Sequence, residues 1–361
     1  MRIGVLTGGG DCPGLNAAIR AIAHRAWMLG DEVIGFREGW AGLLGEGNSL
    51  VLTTQEVAGI LHLGGTILGS SRTNPARSED EMRQVEDNLR RRKIDGLVTI
   101  GGDDTLSVSA RLAERGVAVT GVPKTIDNDV PHTDYCIGFD TACATVGEAL
   151  DKLHTTAESH RRVMVVEVMG RDAGWLAMVG GVGGGADLII IPEEPITIEK
   201  VVAHVQMRMD TRRFSIVVVA EGAHVEGVES QAQSGVDQFG HALLASRGIG
   251  TRLAEAIEQR LRVEARPTVL GHVQRGGSPT MFDRVLATRM GAMAVDCLHE
   301  GRRGVMMALQ GLEIVPVPFA EVVGHNRTVD PRFFRLVRQF NAAEEREGMP
   351  PPHARNTAAA G

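Results

Sequence analysis

With 361 residues the chain exceeds the usual size of one domain, and its 43% hydrophobic content suits two packed cores. A net charge of -7 argues against nucleic acid or a membrane surface as a general partner, although local basic clusters can still bind phosphate. The cysteines Cys12, Cys136, Cys143 and Cys297 form no CxxC pair and show no metal-ligand spacing, so they read as reduced thiols rather than a disulfide framework. With no signal-peptide pattern and no apolar stretch of transmembrane length, the expectation is a cytoplasmic protein.

The chain opens with an apolar strand, Arg2 to Thr7, followed by the turn Gly8-Gly9-Gly10-Asp11-Cys12-Pro13-Gly14 and a helix from Leu15 to Leu29 closed by Gly30. Bare backbone N–H groups at a helix start are anion-binding geometry, yet the turn is neither GxGxxG nor a Walker loop. A second strand spans Glu32 to Phe36, and a loop covers Gly39 to Leu43. The small-residue run from Leu63 to Ser71 ends in Arg72, which can make charge-assisted bonds to phosphate or stand as an ordinary surface arginine. A charged helix from Glu79 to Lys93 leads to the centre of the chain.

There the buried run Leu97 to Ile100 stops at Gly101-Gly102-Asp103-Asp104-Thr105, the form of a strand feeding a turn and a helix, with Thr105 expected as the N-cap. A second run, Val117 to Val122, delivers Pro123-Lys124-Thr125-Ile126-Asp127-Asn128-Asp129 at its own end. In an open parallel sheet ligands collect at the carboxyl ends of strands, so these loops would face one pocket containing four carboxylates. A magnesium ion and a phosphate-binding Lys or Arg would balance that charge. Taken singly, either loop also reads as a plain turn, since Asp and Gly are common turn residues.

A helix from Phe139 to about His160 begins a second α/β domain, and Arg161-Arg162 open the strand Val163 to Val168, which ends in Met169-Gly170-Arg171. The run Leu188 to Ile191, a helix starting at Thr197 and the strand Ile216 to Ala220, ending in Glu221-Gly222, continue the alternation. Residues 223–241 read as a polar exposed insertion, and a helix over 247–262 follows. Arg266, His272 and Arg275 are expected at strand ends, where they suit a phosphate-bearing substrate. The tail 346–361, rich in Pro and Ala, reads as disordered.

Gly-Gly-Asp at 101–103, Pro-Lys-Thr-Ile-Asp-Asn-Asp at 123–129, Met-Gly-Arg at 169–171 and Leu-Gly-His-Val-Gln-Arg-Gly-Gly at 270–277 together resemble the phosphofructokinase family over about residues 2–325. The resemblance implies an α/β fold of two Rossmann-like three-layer domains with mostly parallel sheets and an active site in the cleft between them. Domain boundaries of 1–138 plus 274–324 for the phosphoryl donor and 139–273 plus 325–345 for the sugar phosphate follow from it. It implies phosphoryl transfer to the 1-hydroxyl of fructose 6-phosphate, with Asp127 as general base, Thr125 and Asp129 beside the transferring group, and Asp103 and Asp129 as magnesium ligands. Arg171 and the backbone at Gly10 would neutralise charge on the phosphoryl group, with Arg72 also on the donor side. Met169, Gly170, Glu221, His272 and Arg275 resemble sugar-phosphate contacts. Arg162 and Arg266 match residues that the family supplies from a neighbouring subunit, which implies a homo-oligomer, dimer or tetramer, with shared sites.

Two positions depart from typical ATP-using members, which have glycine where this chain has Asp104 and Lys124. Asp104 adds bulk and negative charge where a nucleotide α-phosphate would lie, while Lys124 adds a compact cation that can pair with Asp104 or bind a short, highly charged donor. The pair resembles the signature of pyrophosphate-dependent members, and Asp104 decides the expectation that pyrophosphate is the donor. The alternatives are an ATP-dependent enzyme tolerating Asp104, a noncatalytic regulatory subunit on the same fold, and a pyrophosphate enzyme with another acceptor such as sedoheptulose 7-phosphate. Arg20 resembles an effector-site arginine, but His24, Thr54 and His154 replace others, so weak or absent nucleotide regulation is expected, with Asp187 left as a carboxylate able to hold an effector's magnesium.

Overall fold

A computed structural model describes residues 1–228 and 248–335. Strand β1 (Arg2–Thr7), helix α1 (Leu15–Met28), β2 (Glu32–Phe36), β3 (Ser49–Leu52), α2 (Glu79–Arg91), β4 (Gly96–Gly101), α3 (Asp103–Glu114) and β5 (Val119–Pro123) build the first part of the chain. Helix α4 (Phe139–His160), β6 (Val163–Val168), α5 (Trp175–Gly183), β7 (Leu188–Ile190), β8 (Ile196–Thr197), α6 (Ile198–Arg212), β9 (Ser215–Ala220), β10 (Val225–Glu226), α7 (Ile249–Leu261) and β11 (Ala265–Val269) follow. The chain closes with α8 (Met281–His299), β12 (Val305–Gln310), β13 (Glu313–Pro318) and the single turn α9 (Phe319–Val322).

These elements form two compact units, residues 1–145 with 272–327, and residues 146–228, 248–271 and 328–335. The first unit is discontinuous, and its division from the second falls inside α4. Its seven-stranded sheet runs β13-β12-β5-β4-β1-β2-β3, parallel except for the edge strands β13 and β3. Strands β4 and β5 are buried throughout and read as unbroken small or apolar runs, as parallel strands covered on both faces must. Helices α1 and α8 pack together closely, because a Cβ at Gly291 would lie 2.9 Å from the Ala18 carbonyl oxygen. A separate core joins Leu6, Phe36 and Leu97 of the sheet to Met82, Val85 and Leu89 of α2 and Leu106 and Leu112 of α3. The second unit carries a parallel sheet, β11-β6-β9-β7, and a two-stranded parallel ladder, β10-β8.

Caps explain several boundaries. Ser78 accepts the Glu81 N–H at the start of α2, whose first turn holds Glu79, Asp80 and Glu81 and whose last holds Arg90 and Arg91, complementing the helix dipole. Thr197 caps α6 through the Lys200 N–H. Thr105, in contrast, is not an N-cap: α3 starts two residues earlier, with Gly102 in that position and Asp103 and Asp104 in its first turn. The Thr105 side chain turns inward, where a Cβ on Gly8 or Gly101 would meet its hydroxyl at 2.4 Å. Residues 39–43, expected as a loop, form a turn of 3-10 helix that buries Trp40, and β3 is an edge strand that the sequence reading did not mark. Of the expected insertion only 223–228 fall within the described residues, and the tail 346–361 lies outside them.

Candidate active site

In the first unit, the loops after β1, β4 and β5 are tied to one another by main-chain bonds. The Gly8 N–H donates to the Ile100 carbonyl (2.9 Å) and the Lys124 N–H to the Gly101 carbonyl (3.0 Å). The loop ending in Arg72 joins them, with the Gly9 N–H donating to the Ser71 carbonyl (3.1 Å) and the Ser70 hydroxyl donating to the Gly9 carbonyl. Arg72 itself is exposed.

Two cations converge on Gly10. Lys124 is buried, and its ammonium donates to the Gly10 carbonyl. Arg275 donates from Nη1 to the Asp11 carbonyl (3.3 Å), and a Cβ at Gly10 would lie 2.5 Å from that same Nη1, so a larger residue there would push the guanidinium aside. Burial lowers the Lys124 pKa and the Arg275 charge lowers it further, against the pull of Asp11 and Asp129. Burial pushes the neighbouring Cys12 thiol up to about 12, so it stays protonated at neutral pH. The structure thus brings Gly10, Lys124 and Arg275 together from three distant segments, with His272 exposed in the short 3-10 helix that also carries Arg275.

Acidic groups flank this basic centre. Asp103 and Asp104 are half-buried in the first turn of α3, where the positive end of the helix dipole favours them, and the Ser107 hydroxyl donates to the Asp104 carbonyl (2.8 Å). After β5, exposure alternates: Thr125, Asp127 and Asp129 are half-buried, whereas Ile126, Asn128 and Val130 are buried. The Thr125 hydroxyl accepts the Asp127 N–H at 3.1 Å. Among the described residues, no group of three or more His, Cys, Asp or Glu side chains could hold a metal by itself. Magnesium commonly takes one or two carboxylates and completes its shell with water and substrate phosphates, so hard oxygen donors such as Asp103 and Asp129 fit it.

A clasp that the sequence reading missed backs the β1 loop. The buried Asp283 carboxylate accepts the Gly138 and Thr141 N–H groups (both 2.9 Å) and the Thr141 hydroxyl, while the Thr280 hydroxyl donates to Asp140 (2.6 Å) and caps α8. Asp283 of α8 therefore caps the start of α4, while Thr280 caps α8 and ties it to Asp140. Burial outweighs those three donors and raises the Asp283 pKa to about 6. The pattern Thr280-x-x-Asp283 was the available signal, being a capping-box spacing.

In the second unit, Met169, Gly170 and Arg171 follow β6, and Glu221 and Gly222 follow the adjacent β9. The Glu221 N–H donates to the Val168 carbonyl (2.8 Å) and the Gly222 N–H to the Gly170 carbonyl (3.1 Å), so the two strand ends form one surface. Arg171 is half-buried and pairs with Asp172 at 3.1 Å. Arg162 lies at the opposite end of the six-residue β6, which at the usual rise separates it from Arg171 by about 20 Å. Arg266 is inside the edge strand β11, opposite Met164, rather than at a strand end, because pairing with β6 begins at Ala265. Glu264 bridges the two arginines, at 3.1 Å from Arg162 and 2.9 Å from Arg266. Asp187, expected as a carboxylate for an effector's magnesium, is instead buried and engaged by Arg208 and by the Ile216 N–H (2.8 Å). No helix among the described residues is long and apolar enough to cross a membrane.

The phosphofructokinase family model matches residues 2–298. A Streptomyces coelicolor protein named pyrophosphate--fructose 6-phosphate 1-phosphotransferase is 53% identical over 94% of this chain and 99% of its own length. An ATP-dependent 6-phosphofructokinase 2 of the same organism is 52% identical over 91% of this chain and 96% of its own. The crystal structure of a pyrophosphate-dependent phosphofructokinase from Nitrosospira multiformis has a TM-score of 0.81 at 20% identity, over 95% of this chain and 91% of its own, a likeness of fold. The chain belongs to the phosphofructokinase family.

Proposed function

We propose that this enzyme moves a phosphoryl group from inorganic pyrophosphate to the 1-hydroxyl of fructose 6-phosphate, reversibly, as a cytoplasmic step of sugar metabolism. One observation carries the choice of donor: Asp104 stands in the first turn of α3, the place where a helix would otherwise receive a nucleotide phosphate. Overall similarity does not decide it, since relatives named for either donor are about equally close.

Phosphoryl transfer of this kind needs positioning and electrostatic stabilisation more than covalent chemistry. In the proposed scheme Asp127 takes the proton from the sugar hydroxyl, and Thr125 orients that carboxylate's turn. Lys124, Arg72 and the Gly10 backbone hold the donor's charge, while Arg171 neutralises the transferring group. Met169, Gly170, Glu221, His272 and Arg275 would contact the sugar phosphate. Magnesium, held by Asp103 and Asp129 directly or through water, would supply charge neutralisation on the phosphate oxygens.

Arg162, before β6, and Arg266, on β11 opposite Met164, lie toward the end of the β6–β11 pair away from Arg171, which supports their serving a neighbouring subunit in a homo-oligomer.

A second reading, ATP as donor, has one observation in its favour. A groove of about 940 Å³, lined by Arg77, Ser107, Arg111 and Phe319, opens one turn along α3 from Asp104, so space for a nucleoside exists. Running the reaction backwards separates the readings. With fructose 1,6-bisphosphate and labelled phosphate, the pyrophosphate reading expects label in pyrophosphate without ADP. A strict requirement for ADP would replace it by the ATP reading.

A further inference from the structure

We propose that Asn128 is the positioning residue for the two carboxylates on either side of it, Asp127 and Asp129, an inference that rests on the phosphoryl-transfer reading. Asp127 and Asp129 are half-buried, and Asn128 between them is turned inward. Asn128 has φ +52°, the left-handed region that asparagine tolerates better than most L residues. Its side chain is buried, with 1% of the residue exposed.

That side chain fastens the turn at two points. Its Nδ2 donates to the Asp134 carbonyl (3.1 Å), and its Oδ1 accepts the Cys136 N–H (2.8 Å). Residues 133–134 are clipped in turn to the end of β12: the Asp134 N–H donates to the Leu309 carbonyl (2.8 Å), the Leu309 N–H to the Thr133 hydroxyl (3.0 Å) and the Gly311 N–H to the Asp134 carboxylate (2.7 Å). Arg327 adds a second strap, its N–H on the Asp129 carbonyl (2.7 Å) and its Nη1 on the Asp134 carbonyl (3.0 Å). The end of β12 therefore reaches the Asp127–Asp129 turn through Asn128, with Arg327 as the second strap.

Asn128→Ala and Asn128→Gly test this. Glycine accepts the positive φ and removes only the two side-chain bonds, whereas alanine removes the bonds and strains the backbone. Both variants should lower kcat by about 10- to 100-fold, because sub-ångström misplacement of reacting groups has costs of that order. The dissociation constant for fructose 6-phosphate, measured by calorimetry, should stay within about two-fold, a division that a general loss of folding would not give. Wild-type kcat in Asn128→Gly would overturn the proposal, as would failure of both variants to fold, which would leave Asn128 a structural residue only. If the wild-type protein transferred phosphate to fructose 6-phosphate from neither donor, the functional reading itself would fall, before any variant was compared.

Discussion

Replacing Asp104 by glycine probes donor choice at its physical root. The carboxylate is half-buried beside the α3 N-terminus, next to a groove with room for a nucleoside. A phosphate charge roughly 5 Å from it is repelled by about 2–3 kcal/mol if the effective dielectric lies between about 20 and 40. Removing that repulsion should raise kcat/KM with ATP by roughly 30- to 200-fold and weaken the use of pyrophosphate. Loss of an acid in the first turn and gain of a glycine should together cost about 1–2 kcal/mol of stability, little enough for the variant to fold. Initial rates with each donor, on protein checked by thermal unfolding, read the effect. Full pyrophosphate turnover with no gain in ATP use would refute the role given to Asp104.

Four further outcomes are expected. Asp127→Ser should cut kcat by about 10²- to 10⁴-fold, the usual value of general-base assistance, and single-turnover rates would show whether chemistry is the step affected. Gly222→Ala would put a Cβ 1.9 Å from the Arg171 carbonyl oxygen and displace that loop, so fructose 6-phosphate turnover should be lost while the protein still folds; wild-type kinetics would remove Arg171 from the scheme. Asp283, raised from 3.8 to about 6, should stabilise the fold below about pH 4 and lose that contribution as pH rises through 6, a swing of ~3 kcal/mol. Urea unfolding at pH 5 and 7 should show the wild type gaining on Asp283→Asn at the lower pH, and a pH-independent difference would contradict it. Mixing subunits of Asp127→Ser with those of Arg162→Ala should restore part of the activity if sites are shared, and additive inactivity would argue for self-contained subunits.

Much of the fold was legible because it is written locally. Buried apolar runs followed by glycine marked β1, β4 and β6, and a similar run ending at Pro123-Lys124 marked β5. Thr105 misled because N-cap preference is local, whereas its actual place is set by the missing side chains of Gly8 and Gly101 across the sheet. Arg266 lies inside β11 because pairing with β6 starts one residue before it, and Pro267 is tolerated there because that strand is an edge. The bond from Lys124 to Gly10 and the clasp from Asp283 to Thr141 join residues 114 and 142 positions apart, and no window of sequence reports such pairs. Asn128 was read as one letter of a motif, since its role appears only once Asp134 and Cys136 are seen beside it.

The most direct test is the initial rate of fructose 1,6-bisphosphate formation from fructose 6-phosphate and magnesium, with pyrophosphate and ATP as donors in parallel. Turnover with pyrophosphate and none with ATP is the expected result. Turnover with ATP alone would contradict it and return Asp104 and Lys124 to a role other than donor selection.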